Sequence, residues 1–87
     1  MSKRSRFEIS CDILKLILDG EEKPTKLMFK ANISWNVIKE ILEILVKKEL
    51  VTEHMIGKVI RYKITDKGTQ VFSYYQKAVR EIELVSR

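Results

Sequence analysis

The sequence predicts an α+β fold: three helices, a two-stranded hairpin and a long last helix, in that order. Three observations predict it. Asn32 and Ser34 lie between two segments of helical apolar spacing, so a tight turn joins two helices there. A run rich in β-branched residues over 51–64 is broken only at Ile56-Gly57-Lys58, which reads as the tip of a hairpin. Val71, Tyr75, Ala78, Ile82 and Val85 then follow at spacings of 4, 3, 4 and 3, a heptad seam along one helix.

The first helix starts at Ser5, which has capping-box spacing to Glu8. Glu8, Asp12, Lys15 and Asp19 make one narrow polar stripe, and nearly everything else through Leu18 is apolar. Such a helix is contacted by protein on most sides, so it is expected to be the central beam of the core. Gly20 ends it. Glu21-Glu22-Lys23 reads as a solvated loop, and Pro24 suits a loop or a first helical turn. The short second helix turns Leu27, Met28 and Ala31 inward and Lys26 and Lys30 outward, while Phe29 fits either side. Asn32 tolerates the left-handed conformation of a helix end, and Ser34 caps the third helix by accepting from an early backbone N–H.

The third helix runs from about Trp35 to Lys48. Ile38, Ile41, Leu42 and Leu45 form its inner face, widened by Val37 and Ile44. Trp35, Asn36, Lys39, Glu40 and Glu43 fall on the other. In the hairpin, Ile60, Tyr62 and Ile64 share the inward face, and Val59, Arg61 and Lys63 face solvent or a ligand. Thr65 or Asp66 caps the last helix, over 66–86. Besides its heptad seam, Phe72, Val79 and Tyr74 make a second apolar strip. One strip packs on the first helix, and a second copy of the chain is the simplest cover for the other.

Eighty-seven residues make one domain over 1–87, with a basic flexible start at 1–4. An apolar fraction of 45% beside 33% charged residues is that of a globular chain. A net charge of +5 favours polyanionic partners: DNA, RNA or anionic lipid. No run approaches the roughly 18 apolar residues of a membrane span, so no membrane is expected. No apolar segment follows the basic start, so no secretory signal is expected and a cytoplasmic setting is. Cys11 is the one cysteine and His54 the one histidine, too few ligands for structural zinc. No nucleophile–base pairing and no phosphate-cradling glycine loop is present. The expectation is therefore no enzyme, no cofactor and no small-molecule ligand.

A helix-turn-helix followed by a hairpin is a winged helix-turn-helix, with the hairpin as its wing. Two segments carry a resemblance to a known family. Thr25 to Ser34 is similar to the Lys/Thr-x-x-Met-Tyr-x-Ala-x-Leu-Ser run of the small archaeal winged-helix DNA-binding proteins of chromosomal and transcription-regulator type. Tyr62-Lys63-Ile64-Thr65-Asp66-Lys67-Gly68 resembles that family's Tyr-x-Ile-Thr-x-Lys-Gly junction between wing and last helix. With the helix between them, the resemblance covers nearly the whole chain. It implies a nucleoid-associated homodimer, joined through the C-terminal helix, that binds double-stranded DNA in transcription regulation or chromosome architecture. Two positions depart from the pattern. Phe29 stands where the family often has tyrosine, and Glu49 where a glycine usually closes the third helix.

The expected DNA contacts are Lys26, Lys30, Ser34, Trp35, Asn36, Lys39, Lys58, Arg61 and Lys63. Asn36 can pair with adenine and Lys39 can donate to guanine in the major groove. Ser34 and the free N–H groups beside it suit a phosphate, and Trp35 can stack on a sugar or pack under the wing. Lys58, Arg61 and Lys63 suit phosphates or a minor groove, although charges on an exposed strand also block edge-to-edge aggregation. Glu40 and Glu43 would meet phosphates badly. The alternative is a protein-interaction module using Trp35, Phe29 and the free strip of the last helix.

Overall fold

The computed structural model describes residues 4–86, with side chains through Glu83. The elements are α1 (Arg6–Leu18), α2 (Pro24–Ala31), α3 (Trp35–Lys47), β1 (Val51–Ile56), β2 (Val59–Ile64) and α4 (Asp66–Ser86). This is the expected winged helix-turn-helix, in the expected order.

The local signals act as read. Ser5 and Glu8 form a reciprocal capping box on α1. Asn32 takes the left-handed conformation, φ 57° and ψ 54°, at the end of α2. Ser34 accepts from the Val37 N–H at 3.3 Å and starts α3. The strands pair antiparallel from Val51↔Ile64 to Ile56↔Val59, so Gly57-Lys58 is the turn.

The core is one cluster drawn from every element. Ile13 of α1, Leu27 of α2 and Ile38 of α3 are fully buried, and Val51 of β1 and Phe72 of α4 belong to the same cluster. Each such side chain stabilises the fold by about 1.5–3 kcal/mol on transfer from water. α1 packs against α2, β2 and α4, which is the central-beam role. Its enclosure is nonetheless incomplete: Phe7 and Leu18 are exposed, and the Phe7 ring meets Tyr75 edge-on at 5.3 Å between centroids. Cys11 is buried, and burial first, then the charges of Asp12 and Glu8, push its thiol up to about 11. Ile44 is exposed, so the inner face of α3 is narrower than its apolar count implies.

Two connections position the wing. Thr65 donates from Oγ1 to the Glu49 carbonyl (2.7 Å) and accepts from the Gly68 N–H (2.9 Å), and Lys67 donates to the Lys48 carbonyl (3.0 Å). A Cβ on Gly68 would lie 2.1 Å from the Leu50 carbonyl oxygen, so only glycine lets α4 pass the end of α3 this closely. The second connection corrects the sequence reading. Glu21-Glu22-Lys23 is not a solvated loop but half-buried, and the Tyr62 N–H donates to the Glu22 carbonyl at 2.9 Å. The loop therefore lies along the edge of β2 and satisfies a strand donor there.

The last helix divides differently from the heptad reading. Phe72, Tyr75 and Val79 are the strip that turns toward the core. Val71, Tyr74, Ala78 and Ile82 are the exposed strip. Tyr75 and Tyr74 have exchanged places, and the Val85 side chain lies outside the described residues. Of the basic start, only Arg4 is described. It is no free arm, because it pairs with Asp12 at 2.6 Å and donates to the Ala31 carbonyl. Among the described residues, no helix is long and apolar enough to cross a membrane.

Candidate nucleic-acid interface

α3 presents its first turn to solvent because its cap ends the turn abruptly. Ser34, Trp35, Asn36 and Lys39 are all exposed. The Ser34 hydroxyl is committed to the Val37 N–H, and among the described residues the N–H groups of Trp35 and Asn36, at the positive end of the helix dipole, have no hydrogen-bond acceptor.

A cleft of about 410 Å³ separates α3 from the wing. Trp35, Lys39 and Glu43 line its helix side, and Glu53, Ile60 and Tyr62 its strand side. Trp35 thus stands at the mouth of the cleft, about half exposed, neither packed under the wing nor free of it. The Tyr62 hydroxyl donates to Glu53 at 3.2 Å. Burial first, then the charges of Glu53 and Glu43, push the Tyr62 phenol up to about 12. Two carboxylates therefore act on one hydroxyl in the cleft, a poor place for phosphate. Glu53 was absent from the sequence reading, although its place two residues after Val51 puts it on the inward face with Tyr62, its cross-strand partner. Glu40, read as an obstacle to phosphate, is paired with Arg6 at 2.7 Å.

The basic residues among the candidate contacts fall into two groups. Lys26, Lys39, Lys58 and Lys63 are exposed and form no ion pair among the described residues. Lys30 and Arg61 are engaged by the α1–α2 loop. Lys30 pairs with Glu21 at 3.0 Å, and hydrogen bonding to Lys30 is the main cause of the lowered Glu21 pKa. Arg61 pairs with Glu22 at 3.6 Å, and its Nε is buried without a partner. Arg61 and Lys63 do share a face, as the alternation predicts, but it is the face opposite Ile60 and Tyr62 and hence turned from the cleft. His54 lies on that face and is hydrogen-bonded to Thr52 at 2.8 Å. Among the described residues, no group of three or more His, Cys, Asp or Glu side chains is placed to hold a metal ion.

This architecture recurs among known proteins. An uncharacterised protein of Methanocaldococcus jannaschii is 27% identical over 71 residues, covering 82% of this chain and 69% of its own. Among solved structures, Sso10a-2, a DNA-binding protein from Sulfolobus solfataricus, superposes with a TM-score of 0.83 at 24% identity. That match covers 95% of this chain and 86% of the other. The transcriptional regulator BldR from the same organism gives a TM-score of 0.80 at 23% identity over 90% of this chain. This chain spans only 60% of BldR, so at these identities the likeness concerns the fold. The order of elements, the capped turn before α3 and the paired wing are the features a winged helix-turn-helix requires, and with a model of that description matching residues 3–83, the chain belongs to the winged helix-turn-helix family.

Proposed function

We propose that the protein binds double-stranded DNA as a homodimer, with the first turns of α3 at the major groove and the wing on the flanking backbone. The observation that carries this is the division of charge along α3. Its first turns offer exposed Asn36 and Lys39, Lys39 standing on the helix side of the cleft, whereas Glu40 is paired with Arg6 and Glu43 shares the cleft with Glu53. Recognition helices read bases with their N-terminal residues, so this polarity suits the task. The fold is typical of DNA-binding transcription regulators, and a DNA-binding protein and a transcriptional regulator share it here. The exposed strip of α4 supplies a dimer face. Both regulation and chromosome architecture are served by such a dimer. A binding selection from random duplexes separates them, because a regulator enriches a palindromic site and an architectural protein does not.

The test of the reading is binding to random duplex DNA across a salt series. The four candidate contacts Lys26, Lys39, Lys58 and Lys63, which form no ion pair among the described residues, set the expectation. With a slope of about −0.9 per neutralised phosphate, log affinity against log salt should fall with a slope of roughly −3.6 per chain and about twice that for a dimer. No binding in low salt would overturn the reading, leaving the protein-docking use of Phe29 and Trp35, both exposed around the turn before α3.

A further inference from the structure

The tip of the wing is apolar on both of its faces. Cross-strand partners share a face, so Met55 and Ile60 lie on the cleft side and Ile56 and Val59 on the other. Met55 is 65% exposed, Ile56 54% and Val59 47%. They surround the two-residue turn whose Lys58 forms no ion pair among the described residues. The exposed strip of α4 is different in kind: it occupies one face of its helix.

A flat protein surface laid against the hairpin tip would cover one face and leave the other in water. An occupant that removes both faces from water must receive the tip end-on. A duplex opened from its minor groove does this. Apolar side chains enter between bases and partly unstack them, while a cation beside them meets the backbone. Phosphate contact alone would be served by a polar tip, and three solvent-exposed aliphatic side chains add nothing to it.

We propose that the wing tip is a DNA-bending wedge: Met55, Ile56 and Val59 insert at a base step from the minor groove, and Lys58 holds the adjacent phosphate. The proposal rests on the duplex-binding reading above and adds deformation of the DNA to it. It also carries a preference, since TA and CA/TG steps unstack most easily. Binding should therefore favour duplexes holding such a step even where no side chain reads a base edge.

The test uses the full chain and a duplex with a donor and an acceptor dye at its ends, with 2-aminopurine beside a central TA step. The wild-type protein is expected to bend the duplex by roughly 20–90° and to raise the 2-aminopurine fluorescence through unstacking. Met55→Ser/Ile56→Ser/Val59→Thr should still bind while losing both signals. Ile56→Ser alone, on the face away from the core, is the second variant and should weaken both. Lys58→Ala should keep the bend and reduce the salt slope by about one. The substituted side chains are exposed, so thermal melting should not move. Wild-type protein that binds without bending, or a triple variant that bends DNA as the wild type does, overturns the wedge. Absence of any duplex binding by the wild-type chain in low salt overturns the DNA reading itself, which keeps the two failures apart.

Discussion

Glu49 holds a φ of 62°, a left-handed conformation in a residue with a Cβ. The helix ends explain why it is forced there. At the end of α1, Gly20 N–H donates to the Ile17 carbonyl and Glu21 N–H to the Leu16 carbonyl. At the end of α3, Glu49 N–H donates to Val46 and Leu50 N–H to Leu45 in the same pattern. Both helices close by the same two-bond motif, which needs a left-handed residue at one position. α1 has glycine there and α3 has not. Glu49→Gly should therefore raise stability by up to about 1 kcal/mol, the cost of left-handed backbone for a residue with a side chain, less the extra entropy of glycine when unfolded. Urea denaturation checks this, and a midpoint that falls would contradict it. The Glu49 carbonyl keeps its bond from Thr65, so nothing else is removed. Features at this scale were legible because they are local. Ser5, Asn32, Ser34 and Gly68 each act on backbone within a few residues or on the segment they abut. The Thr65-Asp66-Lys67-Gly68 junction, noticed as a family likeness, has a plain structural cause: Thr65, Lys67 and Gly68 fasten α4 to the end of α3.

At the scale of elements, the α1–α2 loop decides what the wing can offer. Its two carboxylates engage Lys30 and Arg61, both of which sequence reasoning assigns to DNA. Nothing in the spacing of the chain announces these pairs, because Glu22 and Arg61 meet only when the loop docks along β2. Strand alternation correctly puts Arg61 and Lys63 on one face, yet it is blind to what stands over that face. The two residues should now behave differently. Arg61→Ala removes a half-buried pair that ties the wing to the loop, and should cost about 1 kcal/mol of stability. Lys63→Ala should leave stability within about 0.5 kcal/mol and instead lower the salt slope of DNA binding by about one. A double-mutant cycle of Arg61→Ala with Glu22→Ala measures the tie directly. Simple additivity of the two would mean that Arg61 is not held by Glu22 and is as available to phosphate as Lys63.

For the whole molecule the deciding surface is the outer strip of α4. Neighbouring residues on a helix are separated by about 100°, so a list of apolar positions at spacings of three and four admits two adjacent stripes. The sequence pattern chose Tyr75 for the exposed seam, but the ring packs against Phe7 and Phe72, and Tyr74 stands outside. In the proposed dimer, the exposed residues Val71, Tyr74 and Ala78 form the strip offered to a second copy. Ala78 is its small central residue, where another helix can approach most closely. Ala78→Glu should therefore place a charge in the dimer face and give a chain with the mass of one copy by light scattering. Its DNA affinity should fall and its salt slope should halve, since only one set of lysines remains on each duplex. Ser73→Glu adds the same charge on the opposite side of the helix, and should keep the mass of two copies and nearly the full slope. A dimer that survives Ala78→Glu would place the second copy elsewhere. A monomer that keeps the full slope would show instead that one chain carries the whole interface, and that α4 joins copies without coupling their grip on DNA.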